Sequence, residues 1–333
     1  MTESVTTLPP TRSTSGFDIK SFLTRHGAWV ALALLILFNL AFTPNFATWQ
    51  TLNVNLTQVC AIVIVGVGMT LVIATGGIDL SVGSLMAIAG SLAPLIFLGK
   101  LFPLPHPAVG IALAFVVPVL VAGAFGWFNG WLITRLRIQP IIATLVLFIA
   151  GRGIAQVMTN GNLQVFKVPE FQYIGLGRLF GIPFQAVLMV VIVVAAGWML
   201  RRTVFGRQIL AVGGNERAAR LAGIPVVSVK RKVYWISGLL SGIAGLIVIA
   251  RNSAADANLV GLGMELDAIA AVAVGGTLLT GGRATVVGTL VGALIIQLVR
   301  YTLLANGVPD AAALVAKAGI IVLAVWLQRQ NQS

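Results

Sequence analysis

Charge is what this chain has least of. Only 9% of its 333 residues are Asp, Glu, Lys or Arg, against about 25% in an average soluble domain. Its one cysteine, Cys60, lies in an apolar run, which excludes a disulfide framework and reads as a small buried hydrophobe. Its two histidines, His26 and His106, fall at the edges of apolar stretches, and no metal-binding or nucleophilic constellation forms around them. No cofactor and no catalytic set are expected. A Gly-x4-Gly-Lys-Ser/Thr phosphate loop is missing too, the only Gly-Lys being Gly99-Lys100, so the chain carries no ATPase site of that kind. No basic stretch is interleaved with aromatics in a way that suggests base stacking, and nucleic acid is not an expected partner. What is present is hydrocarbon: 58% hydrophobic residues and a mean hydropathy of +0.99. A soluble fold of this size could not bury so much apolar surface, so the chain reads as an all-α, polytopic membrane protein.

A helical span needs about 20 mostly apolar residues. By that measure about ten transmembrane helices are expected, near 27–43, 56–76, 80–99, 108–133, 138–159, 184–200, 233–250, 265–280, 284–304 and 309–327. Breaks such as Thr43-Pro44-Asn45, Pro103 to Pro107, Thr159 to Asn162 and Asn306 to Pro309 carry turn residues. Residues 1–26 read as a cytoplasmic tail, because the polar Ser/Thr/Pro-rich start lacks the apolar core and cleavage site of a secretory signal. Residues 27–327 then form one permeation domain and 328–333 a cytoplasmic C-terminus.

Cytoplasmic loops of membrane proteins are enriched in Lys and Arg. With the N-terminus inside, the inner segments hold 15 Lys/Arg and the outer loops four: Lys100, Lys167, Arg178 and Arg251. That imbalance favours both termini in the cytoplasm and an even number of spans. The net charge of +13 thus reports orientation, and it concentrates in the inner loop 201–232, where eight basic residues face one acid, Glu216.

One apolar region is interrupted in an informative way. Between Leu71 and Gly90 stand Gly76 and Gly77, the carboxylate of Asp79, the hydroxyl of Ser81, and Gly83. A charge at a bilayer centre costs about 2.5–3.5 kcal/mol on insertion scales, and glycines free backbone groups that lipid cannot satisfy. The segment should therefore face protein or a water-filled cavity, where polar cargo is handled. Asp79 could touch that cargo or cap the helix running from Ser81 to Gly90. Glu265 and Asp267 open another apolar stretch, where the helix dipole suits them. Asn129 and Gln297 are polar within spans and could line a path or join helices. These six residues (Asp79, Ser81, Asn129, Glu265, Asp267 and Gln297) are the candidates for a substrate path. Arg152 must snorkel or pair, with a structural ion pair expected. Glycine-rich runs such as Gly238 to Gly245 and Gly288 to Gly292 should allow close helix packing.

Two further patterns stand out. Thr75-Gly76-Gly77 with Val82-Gly83-Ser84-Leu85 is echoed 205 residues later by Thr280-Gly281-Gly282 with Val287-Gly288-Thr289-Leu290. The copies stand six spans apart where two five-span halves would require five, which leaves convergent glycine usage as the alternative to a repeat. In the inner loop, Asn215 is a favourable N-cap, Glu216 suits a first turn, and Gly223 with Pro225 is a stop. A helix of about two turns is expected there, presenting Ala218, Ala219 and Ala222 beside Arg217 and Arg220. It is either a connector at the membrane surface or a dock for a partner. The outer loop from Asn160 to Pro183, with Pro169-Glu170-Phe171-Gln172-Tyr173, is either a surface cap or part of a docking surface.

Taken together these motifs resemble a known family. Gly214-Asn215 with Ala218-Ala219 and Ala222-Gly223-Ile224 resembles the coupling-helix motif of ATP-binding-cassette importer permeases. Thr75 to Gly83 resembles the signature of the ribose-type monosaccharide permeases. Glu265 to Val272, with Gly275-Gly276 and Gly281-Gly282, resembles that family's C-terminal block. Ile138-Gln139-Pro140, Ala150 to Gly153 with Gln156, and Ala255 to Asn258 bring the likeness nearest to galactofuranose importer permeases.

The resemblance implies an importer permease fold with a cytoplasmic coupling helix, multi-pass in the bacterial inner membrane. It implies transport without ATP hydrolysis on this chain. The implied partners are ATPase subunits inside, a second permease subunit, identical or paralogous, a periplasmic sugar-binding protein, and membrane lipids. Asn215, Glu216, Arg217, Ala218, Ala219, Arg220, Ala222 and Gly223 would couple to the ATPase. Gly76, Gly77, Gly83, Gly281 and Gly282 would break helices along the path. The rival from another class is an ion-coupled carrier using Asp79, Glu265 and Asp267. An intramembrane enzyme would need a catalytic set that the chain lacks.

Overall fold

The protein is seen here in a computed structural model that describes residues 19–322, apart from residues 102, 104, 105, 310, 317, 320 and 321, with side chains from Gly27 onward. Residues 1–18, the C-terminal 328–333 and about half of the tenth apolar stretch lie outside the described residues, while residues 19–26, expected in the tail, open the first helix.

The apolar stretches become helices in the expected order. They are α1 (Ile19–Phe42), α2 (Trp49–Ala74), α3 (Val82–Phe97), α4 (Pro107–Arg135), α5 (Pro140–Thr159), α7 (Phe184–Arg202), α10 (Val226–Asn252), α11 (Met264–Val274) and α12 (Val286–Ala305). Shorter helices lie between them: α6 (Pro169–Leu176), α8 (Val204–Gly214) and α9 (Glu216–Leu221). Local chemistry fixes several starts. Pro107, Pro140 and Pro169 occupy first-turn positions, where a missing N–H costs nothing. Thr48 and Thr203 accept hydrogen bonds from Thr51 N and Gly206 N at 3.3 and 3.1 Å, and His106 accepts one from Ala108 N at 3.2 Å.

Six helices (α2, α4, α5, α7, α10 and α12) are each long and apolar enough to cross a membrane, while α1 from Gly27 and α3 are apolar but shorter. The stretch expected to run from 265 to 280 stops at Val274, because Gly276 takes φ +82° and ends the helix. The most apolar stretches of α2 and α10 are largely buried and form the centre. Glycine lets their neighbours approach: a Cβ on Gly238 would overlap the Ala122 carbonyl of α4, and one on Gly245 would fall 2.9 Å from Met86 Cα of α3. The glycine-rich run of α10 thus packs as expected.

One end of the bundle is closed by the 160–183 connection. α6 inserts the fully buried Phe171 among Phe97, Phe115 and Phe166, with ring centroids 4.9–5.7 Å away. Two-residue ribbons pin this cap. β1 (Gln164–Val165) pairs antiparallel with β4 (Ala254–Ala255), Gln164 opposite Ala255, and β2 (Arg178–Leu179) pairs with β3 (Ile182–Pro183). Gln185 donates to Gly175 O at 2.8 Å, and Gln172 donates to the Ser253 hydroxyl. Connectors expected outside therefore meet one another. At the opposite end the loops expected inside do the same.

Candidate functional site

The chain between α2 and α3 leaves its helix at Thr75 and turns at Gly76, with φ +78°. Asp79 follows and is completely buried. Its Oδ1 accepts from Ser81 N at 3.0 Å and Ser81 Oγ at 2.6 Å, and its Oδ2 from Ser237 Oγ of α10 at 2.9 Å. Ser81 Oγ in turn accepts from Asn129 Nδ2 of α4 at 2.9 Å. Tyr234 of α10 and Thr144 of α5 donate to Ile78 O at 3.3 and 3.4 Å.

Three neighbouring helices thus hold this break in place, and the carboxylate faces protein on all sides. The expected capping role is modified in one respect. Ser81 is the residue preceding α3, and Asp79 receives one backbone N–H together with two hydroxyls, not a series of freed amides. Ser237, Tyr234 and Thr144 escaped the sequence reading. For Ser237 and Thr144 the only signal was a hydroxyl in an apolar helix, of the kind that can bond its own preceding turn.

The second break joins α11 to α12. Thr285 N donates to Thr277 Oγ1 at 3.1 Å, and Thr285 Oγ1 donates to Gly275 O at 3.0 Å. Gly281 and Gly282 take φ of +92° and +77°. The two breaks touch: Gly282 N donates to Ala74 O at 3.0 Å. The C-terminal end of α8 meets them at the same point. A Cβ on Gly213 would overlap Ala74 O and fall 2.6 Å from Gly282 N, and one on Gly281 would fall 2.9 Å from Gly76 N and 3.0 Å from Gly213 O. Three glycine pairs far apart in sequence therefore share one backbone junction.

α8 was not expected; its stretch read as connector. It leads directly into α9, whose boundaries follow the expected signals. Asn215 Oδ1 accepts from Ala218 N at 3.0 Å. At the far end Gly223 has φ +79°, with Ile224 N bonded to Ala219 O and Gly223 N to Arg220 O, a Schellman closure. The helix is six residues long, shorter than the two turns expected. Ala219 is buried against the bundle, whereas Arg217, Ala218, Leu221, Ala222 and Gly223 are exposed, Leu221 to 91%. Glu216 joins Lys230 at 2.6 Å and Arg220 at 3.1 Å. The Lys230 hydrogen bond is the main cause holding the Glu216 carboxyl below the usual glutamate range, with Arg220 adding to it.

The family model described as branched-chain amino acid transport system, permease component, matches residues 52–325. The chain belongs to this permease family. It is similar to the ribose import permease protein RbsC of Escherichia coli K12, at 41% identity over 97% of this chain and 99% of that protein. The galactofuranose transporter permease protein YtfT of the same strain is 38% identical over 91% of this chain and 89% of its own. The L-arabinose ABC transporter permease protein AraH of Azospirillum brasilense is 36% identical over 98% and 93%. No solved structure matches the chain significantly.

The remaining candidates of the permease fall in two places. Glu265, at the start of α11, is buried beside Gly83, where a Cβ would come within 2.6 Å of its Oε2. Asp267 lies half-buried one turn-face away. Arg152 of α5 reaches across to this corner, donating to the carbonyls of Val260 at 2.6 Å and Ala257 at 2.8 Å. Backbone carbonyls, not a carboxylate alone, hold the guanidinium that sequence reasoning assigned to an ion pair. Gln297 is elsewhere, on α12, donating to Gln58 Oε1 of α2 at 2.7 Å. Asp79, Ser81 and Asn129 are thus brought together, and Gln297 is not among them.

Proposed function

We propose that this permease is the membrane-spanning subunit of an ATP-driven importer of a monosaccharide of the ribose or galactofuranose kind, placed in the bacterial inner membrane. It crosses the membrane about ten times as a single domain over 27–327, with both termini in the cytoplasm. A second permease subunit completes the path, ATPase subunits dock from inside, and a soluble sugar-binding protein delivers cargo outside. ATP hydrolysis takes place on the partner chains.

The observation that carries this reading is the glycine junction. α9 offers an exposed face of small and basic residues, and α8 connects it rigidly to the point where Ala74, Gly213 and Gly282 meet. A force applied to α9 by a closing ATPase therefore reaches the ends of both broken helices at once. Asn215, Glu216 and Gly223 keep α9 folded. Arg217, Arg220, Ala218, Ala222 and the neighbouring Leu221 form the docking face, and Ala219 seats it on the bundle. Asp79, Ser81 and Asn129 serve the path by fixing the first break. Glu265, Asp267 and Gln297 stand on the two helices that the second break joins. Gln297 ties one of those helices to α2, so the two broken pairs move as linked units. Cargo binding here can be weak, because affinity can reside in the delivery protein.

Proteoliposomes holding the permease, its ATPase and its binding protein should accumulate labelled monosaccharide when ATP is present, and a protonophore should leave uptake unchanged. Uptake by the permease alone, driven by an ion gradient, would replace this reading with that of a coupled carrier.

A further inference from the structure

Between α4 and α10, beside the end of α9, lies a groove of about 900 Å³. Its wall is apolar, formed by Leu120, Trp127, Val227 and Trp235, and its rim carries Arg220, Arg231 and Lys232. Arg231 is held in position: its Nε donates to Thr134 Oγ1 at 2.9 Å, and its guanidinium carbon lies 5.9 Å from the centre of the Trp127 ring. Lys232 places its ammonium 6.0 Å from the Phe205 ring centre. The acid at this end, Glu216, is engaged by Lys230 and Arg220. Among the described residues no carboxylate pairs with Arg231 or Lys232.

We propose that this groove binds one anionic phospholipid, with its phosphate on Arg231 and Lys232 and an acyl chain along Leu120 and Trp235. Only the side of the membrane rests on the topology proposed above. Three features favour this occupant. Unpaired cations above an apolar wall complement a phosphate carried on hydrocarbon, and guanidinium suits phosphate geometry. Trp127 stands between the Arg231 guanidinium and the apolar wall, and tryptophan is at home where acyl chains meet headgroups. The groove's lining on α4 runs from Trp127 to Leu120, and Leu120 lies at a depth of fifteen residues from the end of α4 at Arg135, about 22 Å along a helix. A soluble ATPase could not fill that depth. A second copy packed here about a two-fold axis would bring the Arg231 and Lys232 cluster towards its own like charges.

The test uses the purified full chain without transport partners, so a failure here leaves the importer reading untouched, and the reverse holds too. Native mass spectrometry would follow titration with phosphatidylglycerol and with phosphatidylcholine of the same acyl chains. Phosphatidylglycerol should be retained at least tenfold more strongly, and the paired substitution Arg231→Gln, Lys232→Gln should lower its retention about thirtyfold, from about fivefold per cation. Arg201→Gln with Arg202→Gln, at the end of α7, should leave retention unchanged. Equal retention of both lipids by the unaltered chain, or a preference that survives the Arg231 and Lys232 changes, overturns the proposal.

A measurement on the unaltered protein covers the case of a variant that does not fold. Phosphatidylglycerol with a photoreactive acyl chain should label residues 120–127 and 224–235, and labelling elsewhere refutes the site. Cross-linking of Leu120→Cys to a second copy in membranes would put protein in the groove and refute it equally.

Discussion

The two helix breaks carry the same glycine pattern and are filled in opposite ways. The first encloses a carboxylate, Asp79, whose oxygens accept from Ser81 and Ser237 and which no solvent reaches. In the second, Thr277 and Thr285 close against backbone groups, and the charged residue of that segment, Arg283, is exposed. Glycine supplies the turn in both, because Gly76, Gly281 and Gly282 all take positive φ. The filler differs because of what surrounds each break. The first is walled by hydroxyl- and amide-bearing faces of α4, α5 and α10, which can satisfy a carboxylate. The comparison teaches that the echo concerns backbone conformation, and that the polar chemistry of each break was set separately.

The junction where the breaks meet offers the sharpest test. Gly213→Val should prevent native assembly or abolish import, since its side chain would occupy the Ala74 carbonyl's place, whereas Gly214→Ala, whose Cβ meets nothing, should behave as the unaltered protein. Thermal unfolding in detergent and uptake in proteoliposomes would measure both. Equal behaviour of the two variants would dissolve the junction. Next in size, Asp79→Ala should lower stability by about 2–3 kcal/mol, because buried donors on Ser81 and Ser237 lose their acceptor. Thr285→Val at the other break should cost about 1 kcal/mol, the net worth of a typical hydrogen bond. A larger loss at Thr285 than at Asp79 would reverse the comparison.

Contact of α9 with the bundle tests the transmission of force at a distance from the breaks. Glu216→Arg replaces the partner of Lys230 with a like charge, and Gly223→Trp forces a bulky residue into φ +79°. Both should reduce co-purification of the ATPase about tenfold or more while membrane insertion stays normal, and undiminished co-purification would remove α9 from the docking role. The smallest effect is a pH dependence. The Glu216 carboxyl is held low by Lys230 and Arg220, so the stabilisation it gives α9 is fully present above the ordinary glutamate pKa of about 4.3. It is lost as pH falls through the depressed folded value. The hydrogen-exchange protection factors of the α9 amides, corrected for the intrinsic pH dependence of exchange, should therefore be unchanged from neutral pH to about 5 and fall only in stronger acid.

Much of the helical layout was legible because hydrocarbon runs and their glycine, proline and asparagine punctuation act locally. The starts of α4, α5 and α7 fall within two residues of the expected limits, and the caps of α9 were readable from Asn215 and Gly223 alone. α8 was missed because Val204 to Gly214 is amphipathic and basic-flanked, a pattern that a surface connector shares. The 265–280 stretch was read as too long because an apolar run past Gly276 looks the same whether helical or not. The partners of Asp79 were hidden for a different reason: Ser237 lies 158 residues away.

The sequence by itself determined that this is a helical membrane protein of the importer-permease kind, with breaks at its glycine pairs and a capped helix in its largest basic loop. Those properties follow from hydrophobic length, backbone sterics and hydrogen bonds within a single turn. Only the tertiary structure decided that Gly76, Gly213 and Gly282 share one junction, that Asp79 is enclosed by Ser81 and Ser237, and that Arg152 rests on carbonyls. Those outcomes depend on which helix faces meet, and long-range packing is a property of the folded bundle that no local pattern records.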